Sequence, residues 1–95
     1  MDPITEKHLK SVVDRINRVT NSPLEPYTRD GDKFTANIGN YHLSFAYGGV
    51  SLERMCNPGG GVSEVFRCGH VTKRELYNRM HALLAGLELA QSVAA

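Results

Sequence analysis

Apolar residues recur at two different periods along this chain, and the change of period divides it into helix, sheet and helix. Leu9, Val12, Val13, Ile16 and Val19 fall on one stripe of a 3.6-residue turn, while Lys7, Lys10, Asp14, Arg15 and Arg18 lie mostly off it. Asp2 before Pro3 reads as an N-cap followed by proline at the first helical position, where a missing N–H and a fixed φ cost nothing. Helix one is therefore expected from there to about Val19. Pro23 and Pro26 in TNSPLEPY then impose a connecting loop. From Lys33 to Asn57 the period becomes two. Phe34, Ala36 and Ile38, then Tyr41, Leu43, Phe45 and Tyr47, then Val50 and Leu52 predict three strands. Gly39-Asn40 and Gly48-Gly49 supply positive-φ residues for two tight hairpins, with His42, Ser44 and Ala46 turned away from the aromatic side.

The last periodic segment, Val71 to Leu89, is a helix with its own start signal. Thr72 and Glu75 form an S/T-x-x-E capping box, Val71 and Leu76 occupy the staple positions, and Leu76, Met80, Leu83, Leu84 and Leu87 make the buried stripe. The order α-β-β-β-α predicts an α+β fold, a three-stranded antiparallel meander with two helices packed on its oily face. One domain spans residues 1–95, with a core of about 4–89 and a tail, 90–95, expected to fray.

Composition narrows the function classes. Eleven Lys and Arg against ten Asp and Glu leave a net charge of +1, so any charge signal must be local. No apolar run approaches the roughly 20 residues that span a bilayer, and MDPITEKHLK lacks the basic and apolar regions of a secretory signal. Two cysteines, Cys56 and Cys68, fit a reduced cytoplasmic setting better than a disulfide scaffold.

The densest polar cluster is Arg67, His70, Lys73 and Arg74 at the entrance to helix two, where cationic side chains and a helix N-terminus could hold an anion or a nucleic-acid backbone. Against that, Glu75 supplies a negative charge to the same helix end, and Lys73 and Arg74 suit a solvated first turn. Gly59-Gly60-Gly61 lacks both the GK[ST] ending and the GxGxxG spacing of phosphate loops, so a flexible connector is the plainer reading. Cys56, Cys68 and His70, with His42 or His81, lack the close ligand pairs of zinc sites, and neither a metal nor another cofactor is expected. Cys56 reads instead as a buried strand-end residue. Cys68 with His70 lacks an orienting third group for nucleophilic catalysis, and no enzyme activity is expected. Tyr41 and Tyr47 read as core, His81 as partly covered, and Glu53 and Arg54 as an exposed pairing surface.

The runs YHLSFAYGGVSL, Tyr41 to Leu52, and GHVTKRELYNRMHA, Gly69 to Ala82, resemble small proteins of uncharacterised function encoded by tailed bacteriophages and prophages. That resemblance covers about half the chain, Gly39 to Glu88, and brings no catalytic residues. It implies a phage accessory factor in the bacterial cytoplasm that binds, and by binding inhibits, a host protein such as a component of CRISPR–Cas defence. The surfaces expected to serve are the sheet residues His42, Ser44, Glu53 and Arg54 or the helix-two entrance, with an open strand edge that also allows a homodimer. The element order is also similar to that of double-stranded-RNA-binding domains, which makes nucleic-acid binding through Arg67, His70, Lys73 and Arg74 the competing expectation. Gly39-Asn40 is too short for the groove-entering loop of those domains, and a shared element order does not confer function.

Overall fold

The computed structural model describes residues 3–94. The chain builds an α+β fold of seven elements: α1 (Glu6–Val19), β1 (Tyr27–Asp30), β2 (Lys33–Ala36), β3 (Tyr41–Ala46), β4 (Gly49–Met55), β5 (Val62–Glu64) and α2 (Lys73–Ala94). An antiparallel meander, β3-β4-β5, carries both helices on one face, α1 against β3 and α2 against β4, and β1-β2 forms a separate hairpin.

Both helical stripes are buried as their spacing requires. Leu9, Val12, Val13 and Ile16 of α1 meet Leu76, Met80 and Leu84 of α2 over Val50 and Leu52 of β4. Each such side chain contributes about 1.5–3 kcal/mol by leaving water. The start of α1 differs from expectation. Asp2 lies outside the described residues, and the N-cap is Thr5, whose hydroxyl accepts the His8 N–H (3.3 Å) while His8 Nδ1 accepts the Thr5 N–H (3.1 Å). The histidine takes the place that Glu or Gln holds in the familiar box. At α2 the Thr72 hydroxyl accepts the Glu75 N–H (3.1 Å), but the Glu75 carboxylate turns along the helix to Arg79 (3.1 Å) rather than back to the cap. Beyond Leu89, α2 continues to Ala94, and the Gln91 amide donates to the Val19 carbonyl, one of the groups that the end of α1 leaves without a helical partner.

The meander keeps its predicted topology with different members. Lys33–Ala36 does not pair with Tyr41–Ala46; it folds back on Tyr27–Asp30 through Gly31-Asp32, with Gly31 at φ 64° as the first residue of a two-residue turn. Phe34 and Ile38, expected on the oily face, are 66% and 55% exposed in consequence. Gly39-Asn40 is no hairpin. Gly39 (φ 94°) is the third residue of a β-turn closed by the Asn40 N–H to the Asn37 carbonyl (3.2 Å), which hands the chain from the first hairpin to the second sheet. The turn between β3 and β4 is Tyr47-Gly48, both at positive φ (54° and 74°), because Gly49 is needed elsewhere. A Cβ on Gly49 would stand 2.9 Å from both the His70 carbonyl carbon and the Val71 oxygen.

The third strand is Val62–Glu64, paired with Glu53–Met55. After it the chain leaves β4 and returns. The Val65 N–H donates to the Leu52 carbonyl (3.0 Å), residues 66–70 bulge away, and Val71 exchanges two hydrogen bonds with Val50 (2.8 and 2.9 Å). With β4 held on both sides, β3 becomes the long open edge of the sheet.

Candidate functional site

The register of β3 on β4 decides what that open edge presents. Ala46 faces Gly49 across the two-residue turn, so Ala46–Gly49, Ser44–Ser51 and His42–Glu53 are the hydrogen-bonded pairs, and the residues between them turn their main-chain groups outward. The β4 side obeys the same rule, since Val50 and Leu52 point to Val71 and Val65. On β3 the outward residues are Tyr41, Leu43 and Phe45. Tyr41 is satisfied inside the molecule: the fully buried Asn17 accepts the Tyr41 N–H at Oδ1 (2.8 Å) and donates from Nδ2 to the Tyr41 carbonyl (3.0 Å), as a neighbouring strand would. Among the described residues nothing bonds the N–H or C=O of Leu43 and Phe45.

A groove runs beside these groups. On one side of Phe45, α1 and the loop after it form a hollow of about 450 Å³ with Val13, Leu24, Pro26, Tyr41 and Leu43 as apolar lining and Lys10, Asp14 and Glu25 in its walls. On the other side a hollow of about 610 Å³ lies between the Tyr47-Gly48 turn and the start of α2, lined by Ala46, Val50, Thr72 and Lys73. Phe45 borders both and is 49% exposed. Tyr47, expected in the core, is 97% exposed at the tip, its ring edge-on to His70 at 5.8 Å. A tyrosine at positive φ is strained where Asn or Gly would not be, so this aromatic is displayed at a cost in stability.

The residues expected to form a basic entrance have different surroundings. His70 crosses β4 to the outer face of the sheet, its Nε2 3.2 Å from Ser44 Oγ. Lys73 borders the groove, Arg67 is exposed in a left-handed conformation (φ 53°), and Arg74 is engaged within the molecule. The sheet-surface set also divides. His42 and Glu53 face each other on the outer side (3.5 Å) with Ser44 beside them, whereas Arg54, one position on, projects to the opposite face and stacks over the Tyr41 ring at 5.5 Å. Cys56, expected to be buried, is exposed, and Cys68 is half-buried; both are free thiols. Among the described residues no three His, Cys, Asp or Glu side chains are grouped to hold a metal ion. The glycine loop is closed on itself: Asn57 Oδ1 accepts the Gly59 and Gly61 N–H groups (3.0 and 2.9 Å), so these donors are spent. Arg79 is held above its ordinary pKa by the Glu75 carboxylate, with Cys68 adding to the shift.

The sequence reading passed over Asn17, Leu24 and the outward groups of Leu43 and Phe45. A polar residue at 17, four positions after Val13 on the buried stripe, is the one visible signal for the first. No family model, curated protein or solved structure matches this chain. Among the described residues no helix is long and apolar enough to cross a membrane.

Proposed function

We propose that this chain is a non-enzymatic binding protein that takes an extended segment of a partner protein onto the free edge of β3. One observation carries the reading: the main-chain N–H and C=O groups of Leu43 and Phe45 face outward, without partners among the described residues, beside two hollows lined by apolar and charged side chains. Strand addition uses such groups for affinity and the adjoining hollows for specificity. Four main-chain hydrogen bonds contribute about 0.5–1.5 kcal/mol each, and side chains entering the groove add their burial. The motif resemblance at Tyr41–Leu52 and Gly69–Ala82 supplies the setting, that of a phage accessory factor in the bacterial cytoplasm which occupies, and so inhibits, a host protein of a defence system such as CRISPR–Cas.

Proline at position 45 tests this directly, because the Phe45 N–H takes no part in the β3–β4 ladder and proline is tolerated where a strand's N–H faces solvent. Phe45→Pro is expected to keep the native circular dichroism spectrum while losing the host protein that copurifies with the tagged wild-type chain; Phe45→Leu is expected to keep both. Equal recovery of that protein by Phe45→Pro and wild type would refute the reading.

A further inference from the structure

Resting on that edge reading, we infer that the segment bound is an extended stretch carrying apolar residues at two alternate positions, preceded on its amino-terminal side by an acidic residue, and running antiparallel to β3.

The register comes from Asn17. Its amide fills the edge at Tyr41, so an incoming strand can exchange pairs of hydrogen bonds only at Leu43 and Phe45, with a single residue between them opposite Ser44. Side chains directly opposite one another share a face. The partner residues facing Leu43 and Phe45 therefore project to the helix side, into hollows lined by Val13, Leu24 and Val50. The residue facing Ser44 projects to the outer side, where His42, Glu53 and His70 make the surroundings polar. The pattern is apolar, polar, apolar.

Charge sets the direction. The groove opens on Lys73 at the Ala46 end, while Glu25 stands toward the other end, where Pro23 and Pro26 are bonded to Asn40 and Asn37 just before β3. Lys10, in the same hollow, is paired with Glu6 (3.2 Å), so Asp14 adds its negative charge to that of Glu25. An antiparallel segment enters at the Ala46 end, so an Asp or Glu before its apolar pair meets Lys73, and a Lys or Arg after it meets Glu25. A parallel segment would need the opposite order of charges.

A library of random octapeptides displayed on a carrier, selected on the full chain and screened again on Phe45→Pro and Lys73→Glu, tests this. Binders that Phe45→Pro abolishes are expected to share the alternating apolar pair with Asp or Glu on its amino-terminal side, and Lys73→Glu is expected to weaken them about tenfold. Adding a synthetic copy of a selected peptide should also slow amide hydrogen exchange at Leu43 and Phe45 of the wild-type chain, a readout independent of how the variants fold. Binders that slow these amides but lack the alternation, or carry basic amino-terminal flanks, would overturn this inference and leave the edge reading standing. A library yielding no peptide that slows them would overturn both. A dimer in sedimentation with these two amides protected in the peptide-free protein would assign the edge to a second copy and overturn the partner chemistry.

Discussion

Asn17→Leu replaces a buried amide with a bulkier apolar group of the same branching, so it removes two hydrogen bonds and adds whatever overpacking the site cannot absorb. In the wild type that amide serves both main-chain groups of Tyr41, at 2.8 and 3.0 Å. Leucine leaves a part-buried N–H and a part-buried C=O unpaired at about 1–2 kcal/mol each, for a total loss of about 2–4 kcal/mol. At roughly 4–8 °C per kcal/mol for a domain of this size, the melting temperature should fall by roughly 8–32 °C. Urea denaturation followed by circular dichroism measures the loss at constant temperature. Asn17→Asp adds a pH signature. When ionised it keeps an acceptor for the Tyr41 N–H but opposes the Tyr41 carbonyl with a negative charge. Burial raises the folded-state pKa of that carboxyl above its unfolded value of about 3.9. Stability of this variant should therefore be greatest at low pH, where the protonated acid can donate to the carbonyl, and be lost as pH rises through the folded-state pKa. A loss under about 0.5 kcal/mol for Asn17→Leu, or an Asn17→Asp variant that gains stability with rising pH through this window, would refute the role given to Asn17.

Gly49→Ala forces a Cβ to within 2.9 Å of the His70 and Val71 main chain, so the bridge at Val50 must shift; calorimetry should record a loss of about 1–3 kcal/mol. Tyr47→Asn relieves a left-handed tyrosine at an exposed tip and should raise stability by about 0.5–1 kcal/mol while weakening partner binding, an opposition that denaturation and titration together detect. His81 Nε2 is buried without a hydrogen-bond partner among the described residues while its ring meets Tyr77 edge-on at 4.4 Å. His81→Leu should therefore stabilise the fold by about 1 kcal/mol, once the ring contact it sacrifices is set against the polar atom it deletes.

The helices were legible because their signals are local. The stripe of α2 and the Thr72 hydroxyl cap need only neighbours within a turn or two, and the body of α1 follows by the same rule. Its start was misjudged because the cap partner of Thr5 is His8, a residue type that the usual box does not include. Strand membership depends on distant pairing and was less legible. Gly39 and Gly48 look alike in sequence, yet one bends the chain between two sheets and the other closes a hairpin. Gly31-Asp32 between Tyr27–Asp30 and Lys33–Ala36 was a usable hairpin signal for the strand pair that went unseen. An open edge was expected, but which strand would form it could not be read. Alternation tells which side chains share a face, but only distant pairing, of β4 with β5 and of Val50 with Val71 across 21 positions of chain, occupies the far side of β4 and leaves β3 at an edge. The position of His70 was hidden for a related reason: it sits one place before Val71, so the bridge that fixes Val71 on the helix side turns His70 to the other face.

Residue-resolved amide hydrogen exchange of the free protein tests the open edge most directly. The account predicts an alternation along β3: slow exchange at Tyr41, tied to Asn17, and at His42, Ser44 and Ala46, tied to β4, with fast exchange at Leu43 and Phe45. Protection at Leu43 and Phe45 equal to that at Ser44 would mean that the edge is already filled, and would contradict it.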